Sequence, residues 1–356
     1  MKIDFYISSL SGGGAEKVLI TLAEAFSKRG HKTSICSLEK RPQFYGVSNE
    51  VSLEKISTKG KFSFVKDFYF MRKRIKLRNS DVIVSFLSRC NLMVLLASMF
   101  NNKKIIVCDR NNPLREHSKI VFELSCQFYR LADCIVVQTE QIKSYYPKYL
   151  QNKVRVLENP IDFQRLMEQS GGWQIKKDNT IISIGRLEAQ KDFSTLIKAF
   201  SKIANKYPEW KVKIFGKGDM REQLQNEIDI LGLHEQILLC GRTEKPFLEL
   251  KKAKIFVLSS NYEGFPNALC EAMLAGLPCI ASDCVSGPRE LIDREENGFL
   301  FDVGNVEELV EKLNILLGNV ALREKIGKRA NITVQRLELS QICKKWEEMV
   351  IDVFNS

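Results

Sequence analysis

The sequence predicts an α/β chain of two domains, each a parallel sheet covered by helices on both faces. Three observations predict it. Short apolar runs alternate with segments of helical period along most of the chain, which is how strand, crossover helix and next parallel strand read in sequence. Glycine-bearing loops stand at strand ends in both halves. At 356 residues and 44% apolar content the chain can bury two ordinary cores. Its clearest break is at 158–162, where Pro160 disfavours helix at Asn159 and no hydrophobic period crosses.

The first strand spans 2–7, and a helix over 16–27 carries Leu19, Leu22, Ala23 and Phe26 at helical spacing. Between them, Ser11-Gly12-Gly13-Gly14-Ala15 lets backbone approach a phosphate closely, or serves simply as a tight strand-to-helix turn. As a dinucleotide fingerprint the loop is incomplete, because Lys17 stands at the third glycine position. Further strands are expected over 33–38, 81–86, 104–108, 133–138 and 153–157, with helices between them, so this domain is Rossmann-like.

Residues 61–78 are the main charged feature of this half. Phe64, Val65, Phe68, Tyr69, Met71 and Ile75 can share one broad helical face, with Lys61, Lys66, Arg72, Lys73, Arg74, Lys76 and Arg78 around it. Such a segment suits an anionic membrane surface, and it suits equally an ordinary helix packed on the sheet. Both hold if only part of the apolar face is buried. Farther on, Cys108-Asp109-Arg110-Asn111-Asn112-Pro113 follows a strand end, where α/β domains keep ligand residues. Asp109 is a base candidate there. Arg110, always charged, is a poor base and a contact for an anionic acceptor. His117 reads as a surface or helix-start residue, and the Gly171-Gly172 pair as flexible linkage.

In the second half, a strand over 180–184 runs into a loop bearing Arg186 and Lys191, then into a helix marked by Phe193, Leu196, Ile197, Phe200 and Ile203. Two cations on one strand-to-helix loop can neutralise a diphosphate and stabilise it as a leaving group. Strands over 211–215 and 236–239 end in Gly216-Lys217-Gly218-Asp219 and Gly241-Arg242-Thr243-Glu244, where glycines make room for a flat group. Next comes a strand over 254–258, a loop, a helix over 266–275 opened by Pro266 and closed by Gly276, and another strand by 281. This places a helix N-terminus at the carboxyl end of a parallel strand, a ready site for phosphate. Glu263 lies just before that helix and Glu271 one turn inside it. Acids too near a diphosphate would repel it, so both are expected to accept hydroxyl groups on either side, a sugar at one end and a ribose at the other. Ser286-Gly287-Pro288-Arg289-Glu290 opens another helix, 299–301 is a short strand, and Ile342, Trp346, Met349, Val350 and Val353 share one face of the last helix.

Glu263-Gly264-Phe265-Pro266-Asn267-Ala268-Leu269-Cys270-Glu271, with Ala275-Gly276-Leu277-Pro278 after it, resembles the E-x7-E motif of retaining glycosyltransferases of family 4. The resemblance implies the GT-B fold, two Rossmann-like domains facing each other across a cleft. Domain limits are expected at 1–160 for the acceptor side, 161–339 for the donor nucleotide, and 340–356 for a helix crossing back to the first domain. It also implies roles: Glu263 on the donor sugar, Glu271 on the ribose, Arg186 and Lys191 on the diphosphate, and residues 264–269 along the donor. Gly13 and Gly14 would face the diphosphate from the first domain, and Gly216, Arg242 and Thr243 would border the base. Relatives often carry a histidine where Arg110 stands, so no role is transferred from it. The chemistry implied is sugar transfer from a nucleotide-sugar, a UDP-hexose or UDP-N-acetylhexosamine, to a glycan or lipid-linked acceptor with retention of configuration. The leaving diphosphate would assist the incoming hydroxyl.

Composition bounds the alternatives. Residues 1–160 hold 27 Lys and Arg against 14 Asp and Glu, a net of +13, while residues 161–356 hold 27 against 29. The basic half is expected to meet an anionic membrane surface through 61–78, or is merely a solvated basic face. The ten cysteines show no C-x-x-C pair and the three histidines no metal-ligand cluster, and no Asp-x-Asp occurs. No metal or other cofactor is therefore expected, and the location is expected to be cytoplasmic, peripheral at the inner membrane face. Of two rival readings, an NAD-dependent Rossmann protein needs the intact glycine fingerprint that Lys17 breaks, and a basic nucleic-acid-binding protein leaves the Glu263–Glu271 element unexplained, so no nucleic-acid partner is expected.

Overall fold

The structure, a computed structural model, describes residues 1–39, 43–56, 63–116, 118–170, 175–293 and 295–356. Lys61, the Phe64 side chain, His117 and the Gly171-Gly172 pair lie outside what it describes. By its internal contacts the chain divides into two compact units, Met1–Pro160 joined by Leu339–Ser356, and Ile161–Glu338.

In the first unit, β1 (Lys2–Ile7), α1 (Gly14–Lys28), β2 (Lys32–Ser37) and β3 (Ser52–Lys55) come first, then α2 (Ser63–Arg78), β4 (Val82–Phe86) and α3 (Ser88–Ser98). After these come β5 (Lys104–Cys108), α4 (Pro113–Glu116), α5 (Lys119–Tyr129), β6 (Cys134–Val137), α6 (Glu140–Ser144) and β7 (Val154–Val156). The seven strands are all parallel, in the order β3-β2-β1-β4-β5-β6-β7. The edge strand β3 was not expected from sequence.

In the second unit, α7 (Phe163–Gln169) leads to β8 (Thr180–Ile184), α8 (Phe193–Ser201), β9 (Lys211–Phe215), α9 (Arg221–Ile230), β10 (Ile237–Gly241) and α10 (Pro246–Lys252). Then follow β11 (Ile255–Leu258), α11 (Asn267–Leu274), β12 (Cys279–Ser282), α12 (Pro288–Leu291), β13 (Phe299–Phe301), α13 (Val306–Gly318) and α14 (Val320–Val334). This sheet too is parallel, ordered β10-β9-β8-β11-β12-β13. In each sheet the order reverses beside its first strand, between β1 and β4 and between β8 and β11. Such reversal points are where loops diverge and leave a crevice for ligands.

The final helix, α15 (Leu339–Asn355), belongs to the first unit. Trp346 on it is fully buried and stacks on Phe86 at the end of β4. Its outer side is tied by Glu347 to Arg29 at 2.7 Å and to His31 at 2.8 Å, both at the end of α1.

α2 divides its residues differently from the expectation. Met71 and Ile75 are buried against the sheet with Phe68 partly buried beside them, but Val65, Tyr69, Phe70 and Leu77 face outward beside Lys66, Lys73 and Lys76. The arginines do not join that outer arc. Arg74 is buried, donating to Glu54 at 2.8 Å and Ser34 at 3.0 Å and pairing with Asp4 at 3.3 Å. Arg78 pairs with the same Glu54 at 2.5 Å, and Arg72 donates to the carbonyls of Ala97 and Met99 at the end of α3. A guanidinium can fan several donors into such carboxylates and carbonyls, which lysine's single ammonium cannot do in one plane.

Candidate active site

The second sheet's reversal point carries the constellation. The loop after β8 and the loop after β11 are laced together by four hydrogen bonds. Asn261 donates its backbone N–H to the Gln190 carbonyl and its side chain to the Ala189 carbonyl, each at 2.8 Å. Gln190 Nε2 donates to the Tyr262 carbonyl and Ser259 Oγ to the Lys191 carbonyl, each at 2.9 Å. This lacing sets Lys191 Nζ 2.5 Å from Glu263 Oε1, with the two side chains only 16% and 6% exposed. Ser260 Oγ donates to the same carboxylate oxygen at 2.6 Å.

The backbone of Glu263 is held as firmly. Ser286 Oγ donates to its carbonyl at 2.6 Å, and Ser282 Oγ to the Ser260 carbonyl at 2.5 Å. Gly287, with φ +94°, closes this brace: a Cβ there would lie 2.7 Å from Pro266 Cδ. Only glycine takes both that backbone angle and that approach without strain. Ser259, Ser260, Ser282 and Ser286 were not assigned by sequence reasoning beyond loop or helix-start character, because their partners are set by the fold.

Arg186 shares the loop with Lys191 but is turned the other way, its side chain 56% exposed and held by Glu188 at 3.0 Å and Gln190 at 3.3 Å. Both cations are thus paired with acids, Lys191 largely buried and Arg186 more than half exposed. α11 starts at Asn267, with Pro266 as its N-cap rather than its first residue. Phe265 and Leu269 point into the core, while Asn267 and Ala268 are partly exposed at the helix's first turn. The side chains of Phe265 and Leu269, both expected along the donor, are thus enclosed by the protein itself. Glu271 is buried one turn farther in, and Gly264 precedes the helix within the same loop.

Gly216, expected to border the base, is required by the chain itself. A Cβ on it would meet the Gly185 carbonyl oxygen at 1.8 Å, so the chain's own backbone fills the space. Its N–H donates to the Gly241 carbonyl at 2.8 Å, which joins the loops after β8, β9 and β10 in a row. Arg242 and Thr243 continue that row, and Thr243 Oγ1 accepts from the Lys245 N–H at 3.1 Å, just ahead of α10.

In the first unit the glycine loop is already occupied. The Glu16 carboxylate accepts from the N–H groups of Gly12 and Gly13, the latter at 3.1 Å, and from Ser9 Oγ at 2.8 Å. A carboxylate here competes with any phosphate, so the Gly13 amide faces the chain's own acid, with Gly14 opening α1 beside it. Asp109, the base candidate, lies inside the first unit. It is buried, and Asn91 at 3.0 Å and the hydroxyls of Tyr129 at 2.7 Å and Tyr146 donate to it. Burial pushes both phenols well above their ordinary range and the Asp109 charge adds to this, so they stay protonated donors. Arg110 lies over the Phe86 ring at 4.2 Å and donates to Asn159 at 2.8 Å.

Both halves match glycosyltransferase profiles: Glycosyltransferase Family 4 over residues 12–165 and Glycosyl transferases group 1 over residues 168–332. Over the full length of both chains, this one is 30% identical to a GalNAc-alpha-(1->4)-GalNAc-alpha-(1->3)-diNAcBac-PP-undecaprenol alpha-1,4-N-acetyl-D-galactosaminyltransferase of Campylobacter jejuni. The chain belongs to the family 4 glycosyltransferases. This glycosyltransferase is also 27% identical to the amylovoran biosynthesis glycosyltransferase AmsD of Erwinia amylovora, over 96% of each chain. Among solved structures, HepE of Anabaena in complex with UDP-glucose superposes with a TM-score of 0.84 at 19% identity, covering 99% of this chain and 100% of that one. That likeness establishes the GT-B fold. Neither the NAD-dependent nor the nucleic-acid-binding alternative is favoured by these matches.

Proposed function

We propose that this glycosyltransferase moves a hexose or N-acetylhexosamine from a UDP-sugar to a lipid-linked glycan, with retention at the anomeric carbon and without a metal. The buried Lys191–Glu263 pair at the strand-order reversal carries the reading. A diphosphate arriving at the first turn of α11 competes for Lys191, and Arg186 on the same loop adds a second cation. Glu263, released from its lysine, accepts a hydroxyl of the donor sugar, while Glu271 takes the ribose. The acceptor hydroxyl then bonds to the anomeric carbon on the face that the diphosphate leaves, and its proton passes to the departing diphosphate oxygen. Cations fixed at that oxygen stabilise the charge that develops as the glycosidic bond breaks.

The donor class is supported by the HepE complex with UDP-glucose. The acceptor class is supported by the diphospho-undecaprenol substrates in the names of two Campylobacter jejuni relatives, which are 30% and 28% identical to this chain. No described helix is long and apolar enough to cross a membrane, so the enzyme would reach such an acceptor at the cytoplasmic surface through the outward lysines and aromatics of α2.

The test is thermal unfolding with UDP, GDP, ADP, NAD or an oligonucleotide, on the wild type and on Lys191→Ala. A rise with UDP alone, lost in the variant, is expected. Stabilisation by NAD or the oligonucleotide with none from a nucleoside diphosphate would overturn the assignment.

A further inference from the structure

The carboxyl ends of β4 to β7 in the first unit hold a second cluster, which the donor chemistry does not use. Arg110 follows β5 and Gln138 follows β6, each two residues beyond the register pair Cys108 and Val136, so their backbones lie side by side. Asn159 comes after β7, and Trp346 is brought in by α15. The Arg110 guanidinium lies 4.2 Å from the centre of the Phe86 ring and 5.4 Å from that of Trp346, and its Nη1 donates to Asn159 Oδ1 at 2.8 Å. Leu87, next to Phe86, is held at φ +75°, a positive angle that bulky residues rarely adopt and that is commonest at ligand sites.

The cluster is distinguished by hydrogen bonds that the protein itself does not make. Nε and Nη2 of Arg110, Nε1 of Trp346 and both amide atoms of Gln138 are buried without a protein partner. Buried polar groups ordinarily have one, because a desolvated donor left alone costs free energy, most of all on a charged group. Neighbouring groups do not supply the countercharge. Asp109 accepts instead from Asn91 and from the hydroxyls of Tyr129 and Tyr146, and the Cys108 thiol, its pKa pushed up to about 12 by burial, stays neutral. Burial also lowers the pKa of the Arg110 guanidinium, as befits a cation short of countercharge.

Nε–H and Nη2–H of one guanidinium point the same way and fit the two oxygens of one anion. Arg289 of this chain uses that same pair of atoms on both oxygens of Asp283, with Nη2 at 2.8 Å. At Arg110 the pair has no protein acceptor, while the Trp346 indole and the Gln138 amide add further donors. Such a donor set suits an oxyanion and repels a cation. We propose that Arg110, with Trp346 Nε1 and the Gln138 amide, forms a binding site in the first unit for a two-oxygen anionic group, a carboxylate or a phosphate. The site stands on its own geometry; only the source of the anion rests on the proposed transferase, whose acceptor would carry it, the other source being free phosphate.

The Trp346 indole N–H signal of the full-length protein, with isotope-labelled tryptophan and assigned by its loss in Trp346→Phe, reports on this place and not on the donor site. Titrations with glucuronate, methyl phosphate and inorganic phosphate are compared at constant ionic strength with sodium chloride and glucose. Saturable movement of the signal is expected with the oxyanions and none with chloride or glucose. Arg110→Lys, which keeps the charge without the fork, is expected to raise the midpoint by about tenfold or more, and Arg110→Gln to abolish the response. Gln138→Leu should weaken it by a smaller factor. A lower midpoint for glucuronate or methyl phosphate than for inorganic phosphate assigns the anion to the acceptor; the reverse order assigns it to the free ion. A wild-type signal that does not move, or one that moves alike in Arg110→Gln, would overturn the proposal. The UDP-induced thermal shift runs through Lys191 and is expected to survive in the Arg110 variants. A wild type that answers the oxyanions but ignores UDP would sink the transferase reading and leave this site standing.

Discussion

Lys191 and Glu263 are a largely buried ion pair, the glutamate enclosed and the lysine 16% exposed, whose energetics depend on each other. Removing one partner leaves the other charge desolvated and uncompensated, a loss of about 3 kcal/mol or more, whereas removing both costs less than the sum. Glu263→Ala and Lys191→Met are therefore each expected to lower the unfolding temperature clearly, and the double variant by less than the two together. Strictly additive losses in thermal unfolding would show that the pair is not coupled. On the proposed mechanism either single change also removes a preorganised charge from the reacting centre, and kcat is expected to fall by about a hundredfold or more. Gly287→Ala probes the brace from the other side. Its φ of +94° and the 2.7 Å approach to Pro266 force the Glu263 loop to move, so stability falls by about 1–3 kcal/mol and turnover falls with it. A Gly287→Ala enzyme with wild-type kcat would show that this loop does not position the glutamate.

Among the elements, α2 is fixed by charge from within. Desolvation alone would raise Glu54, but the hydrogen bonds and charges of Arg74 and Arg78 outweigh it and hold the carboxyl below its usual value near 4.5. A carboxyl depressed in the folded state contributes stability that is present above its unfolded pKa and is lost as pH falls through the folded one. The first unit should thus lose stability as pH drops below about 4.5, and Glu54→Gln should be less stable at neutral pH with a flatter acid limb. Urea midpoints measured across that range decide it; parallel curves for wild type and variant would exclude Glu54 as the sensor. The same helix shows what sequence could and could not reveal. Its amphipathic character is local and legible, but the turning of Arg74 and Arg78 inward depends on Asp4 and Glu54, which lie far away in sequence. α11 was legible because Pro266 and Gly276 bracket it locally, and β11 because four buried apolar residues run together. β3 was not, since Ser-Leu-Glu-Lys at a half-exposed edge has no apolar run. The Glu263–Glu271 motif pointed to the site, while the serines that hold Glu263 in place could be found only once the loops were folded.

At the scale of the whole molecule, the chain leaves the first unit at Pro160 and returns to it at Leu339, so the last helix completes a core begun by the first strands. Trp346 is the anchor of that return. Its indole is fully buried, stacks on Phe86 with ring centroids 6.5 Å apart, and lies 5.4 Å from the Arg110 guanidinium. Replacing a buried tryptophan by alanine removes its transfer free energy and leaves a cavity, together about 3–5 kcal/mol. Trp346→Ala is therefore expected to lower the melting of the first unit, while Lys191, Glu263 and the first turn of α11 remain intact in the second. Differential scanning calorimetry with and without UDP separates the two effects. UDP at about a hundred times its dissociation constant stabilises whatever binds it by about 2.7 kcal/mol, and that increment should appear in the second unit's transition equally in wild type and variant. If UDP binding instead disappeared in Trp346→Ala at a temperature where the second unit is still folded, the nucleotide would require the first unit, and the Lys191–Glu263 loop pair would not be sufficient to hold it.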